Sequence, residues 1–64
     1  MWILFRRVPN VIMADMWKEL LESEGVPMRI LVAPDEAGMG DAAARLIYIP
    51  EQKSHVAAEA LRKI

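Results

Sequence analysis

Apolar positions along this chain change period several times, and each change marks an element. Residues 2–8, Trp-Ile-Leu-Phe-Arg-Arg-Val, are rich in β-branched and aromatic side chains and end at Pro9, the pattern of a first strand. Strict alternation puts Trp2, Leu4, Arg6 and Val8 on one face and Ile3, Phe5 and Arg7 on the other. Neither face is polar enough to be left wholly to water. From 11 to 24 the period becomes helical: Ile12, Met13, Met16, Trp17, Leu20 and Leu21 share one side, and Asp15, Lys18, Glu19 and Glu22 the other. Asn10 is placed to cap the helix, Gly25 to end it in a left-handed conformation, and Pro27 to prevent its resumption.

A second strand spans 28–33, with Met28, Ile30 and Val32 opposite Arg29 and Leu31. Residues 34–41, Pro-Asp-Glu-Ala-Gly-Met-Gly-Asp, form a turn-rich connection, expected to be a flexible hairpin loop in which glycines relieve strain. The third strand, 44–49, sets Ile47 and Ile49 against Leu46 and Tyr48. Pro50 and Glu51 suit the first turn of a last helix whose stripe is Val56, Ala57, Ala60, Leu61 and Ile64. The order is β-α-β-β-α.

Connection rules turn that order into an architecture. A right-handed crossover makes the first two strands parallel, and the third fits between them antiparallel to both, with the helices on one face. The expected fold is an α+β, ferredoxin-like half-sandwich in a single domain, with strand order 1-3-2. Its usual fourth strand is missing, so the edge of the first strand is open, and open edges invite partners.

Composition sharpens this picture. A chain of 64 residues buries only about 60% of the surface its unfolded form exposes, yet 55% of these residues are hydrophobic. Some apolar surface is therefore expected to serve association. Without cysteine, disulfides and thiolate metal sites are excluded. Eight basic residues against nine acidic ones, well mixed, give no electrostatic case for DNA or an anionic membrane. The apolar start, Met1 to Phe5, precedes Arg6 and Arg7, the wrong order and length for a signal peptide, and no run reaches the roughly 18 apolar residues of a membrane span. A soluble cytoplasmic protein is the expectation.

Several residues together make the chain similar to a known family. Pro9-Asn10 opens the first helix, Leu20-Leu21-Glu22-Ser23-Glu24-Gly25-Val26-Pro27 closes it, and Ile49-Pro50-Glu51 leads into Val56-Ala57-Ala58-Glu59-Ala60-Leu61. In these it resembles very short prokaryotic proteins grouped as signal-transducing, with a PII-like βαββα fold and no assigned molecular function. The resemblance implies the fold and a regulatory class. It implies no nucleotide or effector site, because no matching motif is found. The 34–41 loop corresponds in position to the partner-contacting loop of PII trimers.

Candidate chemistry is sparse. Glu51, His55 and Glu59 recur at helical spacing and could offer metal ligands, but spaced Glu and His on a helix face more often form weak i,i+4 pairs. Arg6, Arg7 and Asn10 stand where the first helix begins, a place for an anion. Gly38-Met39-Gly40-Asp41 joins two strands and lacks the Lys-Ser/Thr of a phosphate loop. Met13, Met16, Met28 and Trp17 read as core filling. Nucleophilic catalysis finds no support: Cys and Thr are absent, and Ser54 and His55 are neighbours turned about 100° apart on a helix.

The sheet face away from the helices is the richest set: Trp2, Leu4, Arg6, Arg29, Leu31, Leu46 and Tyr48, including residue types enriched at interface hot spots. The expected function is a small non-enzymatic regulatory or protein-interaction module acting as a homo-oligomer, without cofactor or metal. Two alternatives stay open. The same face could bind single-stranded RNA, with Trp2 and Tyr48 stacking bases and Arg6 and Arg29 on phosphate, or the domain could sense a small anion at the first helix.

Overall fold

A computed structural model describes residues 1–62 as β1 (Trp2–Val8), α1 (Val11–Ser23), β2 (Arg29–Val32), β3 (Arg45–Pro50) and α2 (Ser54–Leu61), with short 3₁₀ turns at Pro34–Glu36, Gly40–Ala42 and Glu51–Lys53. The sheet order is β1-β3-β2, and β3 runs antiparallel to both neighbours. This is the expected α+β, ferredoxin-like arrangement. Ile64, assigned above to the last apolar stripe, lies outside the described residues.

α1 forms where its caps permit. Asn10 is extended, and its Oδ1 accepts a hydrogen bond from the Met13 N–H at 2.9 Å, satisfying a donor that the first turn leaves free. At the other end Gly25 has φ +74°. The Val26 N–H donates to the Leu21 carbonyl at 2.9 Å and the Gly25 N–H to the Glu22 carbonyl at 3.0 Å, a Schellman closure. Leu21 and Val26, brought together by it, are both fully buried.

The core lies between the sheet and the two helices. Val8, Ile47 and Ile49 from the sheet meet Ala14, Trp17 and Leu21 of α1 and Ala57 and Ala60 of α2, with Ile3, Phe5, Met13, Leu20, Met28, Ile30 and Val56 packed around them. The α1 face is turned from the expected stripe. Ile12 is 75% exposed and Met16 is also exposed, while Ala14 is buried. A methyl group there lets the helix lie close to its neighbours, which larger side chains would prevent.

Two more expectations are corrected. Pro50 does not enter the last helix; it ends β3 in an extended conformation, ψ 139°, and α2 starts only after an intervening 3₁₀ turn. The 34–41 connection is more structured than a bare hairpin loop. It winds into two 3₁₀ turns closed by the Ala33 N–H on the Ala44 carbonyl at 2.9 Å, and Gly40 takes φ +59° where the second turn begins.

The largest departure from simple alternation is in β1. Pairing runs Trp2 with Pro50, Ile3 with Ile49 and Leu4 with Tyr48, then shifts so that Arg6 faces Ile47, Arg7 faces Leu46 and Val8 faces Arg45. Phe5 is thus the extra residue of a β-bulge. Beyond it the faces exchange: Val8, expected outward, is 2% exposed in the core.

Candidate protein-interaction face

β3 sets the outer face because its even-numbered residues point away from the helices while Ile47 and Ile49 are buried against them. Leu46 and Tyr48 therefore face out. Tyr48 is flanked by Leu4 of β1 and Arg29 of β2, and Leu46 by Arg7 and Leu31. Trp2 lies beside Pro50 at one end of this face. Of the seven residues expected here, Trp2, Leu4, Arg29, Leu31, Leu46 and Tyr48 come together.

Arg6 does not. The bulge carries it to the helix side, where its guanidinium carbon sits 5.2 Å from the centre of the Trp17 ring, and Phe5 meets the same ring edge-on with centroids 5.4 Å apart. Two successive residues thus face one indole, which a regular strand cannot arrange. Arg7 takes the outward place instead.

The face is apolar at its centre and charged at two margins. Leu4 and Leu31 are each 54% exposed and Trp2 38%. Arg29 lies over the Trp2 ring at 4.6 Å, a cation–π contact spanning the width of the sheet. At the opposite end Arg7 donates from Nη1 and Nη2 to Asp35 at 3.2 and 3.0 Å and from Nη2 to Glu36 at 3.2 Å. Glu36 also accepts the Ala44 N–H at 2.8 Å through Oε1. The acidic turn after β2 is thereby tied both to β1 and to the start of β3. The sequence offered no direct sign of this cluster, since its members lie far apart in the chain.

Hydrogen bonding to Arg7 holds the Asp35 carboxyl below its usual pKa, and the same bond raises Arg7 above its own. With a depressed folded-state value, the Asp35 contribution to stability is present above the unfolded value and is lost as pH falls through the folded one. Both side chains are solvent-exposed, so the effect on overall stability is small. A carboxyl-carbon NMR titration is expected to place the Asp35 midpoint below that of an ordinary aspartate and to raise it in Arg7→Ala. An unchanged midpoint would break the assigned pair.

The remaining candidates disperse. Arg6 and Arg7 go to opposite faces, and the Asn10 oxygen is taken by its own helix. Glu51 lies in a 3₁₀ turn ahead of α2, so the Glu51, His55 and Glu59 strip is not one continuous helix. Among the described residues no three His, Asp or Glu side chains come together around a point, no polar side chain is buried and no pocket opens. No described helix is long and apolar enough to cross a membrane. The chain matches no family model, no curated protein and no solved structure.

Proposed function

We propose that this chain is a small, non-enzymatic protein-interaction module of the regulatory kind, acting in the cytoplasm and associating with itself. What carries the reading is the outer sheet face. Trp2, Leu4, Leu31, Leu46 and Tyr48 lie side by side on it, with Arg29 and Arg7 at its margins. Aromatic residues and arginine around a desolvatable apolar centre are the composition of binding hot spots. The resemblance of its cap and turn residues to short PII-like signal-transducing proteins, which have no assigned molecular function, is in keeping with the regulatory class alone.

The first test is sedimentation over a dilution series. The 7.2 kDa chain is expected to associate reversibly in the micromolar range. Leu4→Lys should weaken that association roughly tenfold or more while leaving the circular dichroism unchanged, because one charge is placed on an exposed apolar position. A monomer at all concentrations would remove self-association from the proposal.

A second reading has its own observation: Trp2, Tyr48 and Arg29 share this face, as a base-stacking platform requires. Net charge of −1 argues against it. Fluorescence anisotropy with mixed-sequence single-stranded RNA separates the two. Tight binding that falls with salt and falls again in Tyr48→Ala would transfer the surface from protein to RNA.

A further inference from the structure

We propose that the module pairs with a second copy of itself along the free edge of β1, extending the three strands into one six-stranded sheet; this rests on the interaction reading above. The sheet has two outer edges, and they are not alike. β2 is short, Arg29–Val32, with Pro27 before it, Pro34 after it and an exposed arginine on it, all devices that discourage edge pairing. β1 runs from Trp2 to Val8 with no proline or glycine; its two arginines and its bulge lie in the second half, and the first half, Trp2 to Leu4, is wholly apolar and regular.

Hydrogen bonding identifies which groups lie on that free edge. The Glu51 N–H donates to the Met1 carbonyl at 2.7 Å, so Met1 points toward β3, and by alternation so does Ile3. The other side of the sheet agrees. The Ala33 N–H bonds the Ala44 carbonyl, which turns the even residues of β3 toward β2 and leaves Ile49 to bond Ile3. Trp2 and Leu4 therefore direct their N–H and C=O groups outward, where no described residue pairs with them.

Those groups select a register. In an antiparallel pair of identical strands about a twofold axis, opposed residues share a face. Centring the axis at Ile3 places Trp2 opposite Leu4 of the second copy and Leu4 opposite its Trp2. Both are hydrogen-bonded pairs that exchange two N–H···O bonds each, with apolar side chains matched on the outer face. Centring at Leu4 would set Trp2 against Arg6, which the bulge has sent to the helix side. Centring at Arg6 or Arg7 would oppose like charges. The Ile3 register carries both arginines past the end of the other strand.

Area sets the strength. The domain is 15 Å across its thin dimension. In this register only residues 1–5 of each strand face one another, ~17 Å at ~3.3 Å per residue, so the flat footprint is about 250 Å² per chain, about a third of the ~800 Å² per partner of a standard interface. The pair is accordingly reversible and micromolar. Its consequence is a doubled outer face, with Trp2 and Leu4 of both copies at the middle and both helix pairs on the other side.

Amide hydrogen exchange on the wild-type chain, followed by NMR from ~10 µM to ~1 mM, reads the proposal directly. Protection of the Trp2 and Leu4 amides should rise about tenfold with concentration, while Ile3, already bonded to β3, changes little. Leu4→Pro removes an N–H that faces the free edge, together with the leucine side chain there, and breaks no bond to β3, so it should fold and remain monomeric, whereas Leu31→Lys, on the far strand of the same face, should still dimerise. A dimer in which protection rises at Ile30 and Val32, or one dissolved by Leu31→Lys and spared by Leu4→Pro, would overturn edge pairing and leave the interaction face standing. A chain monomeric at every concentration would overturn edge pairing and self-association together. Should Leu4→Pro fail to fold, the wild-type exchange pattern decides alone.

Discussion

Trp17→Ala is expected to remove most of the stability of this domain. The side chain is 2% exposed and sits at the junction of everything that defines the core: Phe5 meets it edge-on, Arg6 covers its ring, and it packs in the cluster formed by Val8, Ile47, Ile49 and α2. Truncating a buried tryptophan costs about 3–5 kcal/mol in lost transfer energy and residual cavity. A chain this short holds about a tenth of a kcal/mol per residue, about 3–10 kcal/mol in all. Urea melts followed by circular dichroism should therefore show the midpoint collapsing, with much of the variant unfolded in buffer. Arg6→Ala, which removes the cation and leaves the indole buried, should cost no more than about 1 kcal/mol. Equal midpoints for Trp17→Ala and wild type would place the indole outside the core.

Gly25→Val should cost about 1–3 kcal/mol for a different reason. A Cβ built on Gly25 meets nothing within 4 Å, so there is no clash to relieve. The cost is in the backbone: φ is +74°, a region that L-residues and above all β-branched ones resist, and the Schellman hydrogen bonds hold it there. The series should grade accordingly, with Gly25→Asn the mildest, Gly25→Ala intermediate and Gly25→Val the worst, read as thermal midpoints. If asparagine and valine proved equally harmful, backbone conformation would not be the cause.

The elements that could be read directly from the sequence are those governed by local chemistry. Asn10, Gly25 and Pro27 announce the limits of α1 because capping and left-handed backbone are decided within a few residues. Strand order followed from connection rules, and Ile47 and Ile49 against Leu46 and Tyr48 from a strand that keeps its period. Arg6 was misplaced because alternation assumes one residue per step, and a bulge needs no glycine to mark it. A signal was present all the same. The apolar residues that face the helices, Ile3, Phe5 and Val8, are spaced by two and then by three, and the longer step contains both arginines. Ile12 and Met16 were assigned to the covered stripe because hydrophobicity alone does not show that Ala14 is the point of closest approach. The ion cluster of Arg7 with Asp35 and Glu36 joins β1 to the turn beyond β2, and only the finished sheet brings them within reach.

The bulge at Phe5 also acts as a frameshift written in side chains. Upstream of it, even-numbered residues of β1 belong to the outer surface; downstream, odd-numbered ones do. Deleting a single residue between Leu4 and Arg7 would restore an unbroken ladder and leave outward and inward residues in their places, provided the lost residue is Phe5 or Arg6. Deleting one on either side of that interval cannot be absorbed in the same way, because it slips a regular run and exchanges core for solvent. Length variation in the first strand is therefore confined to one site, and that site is the one whose side chains grip Trp17.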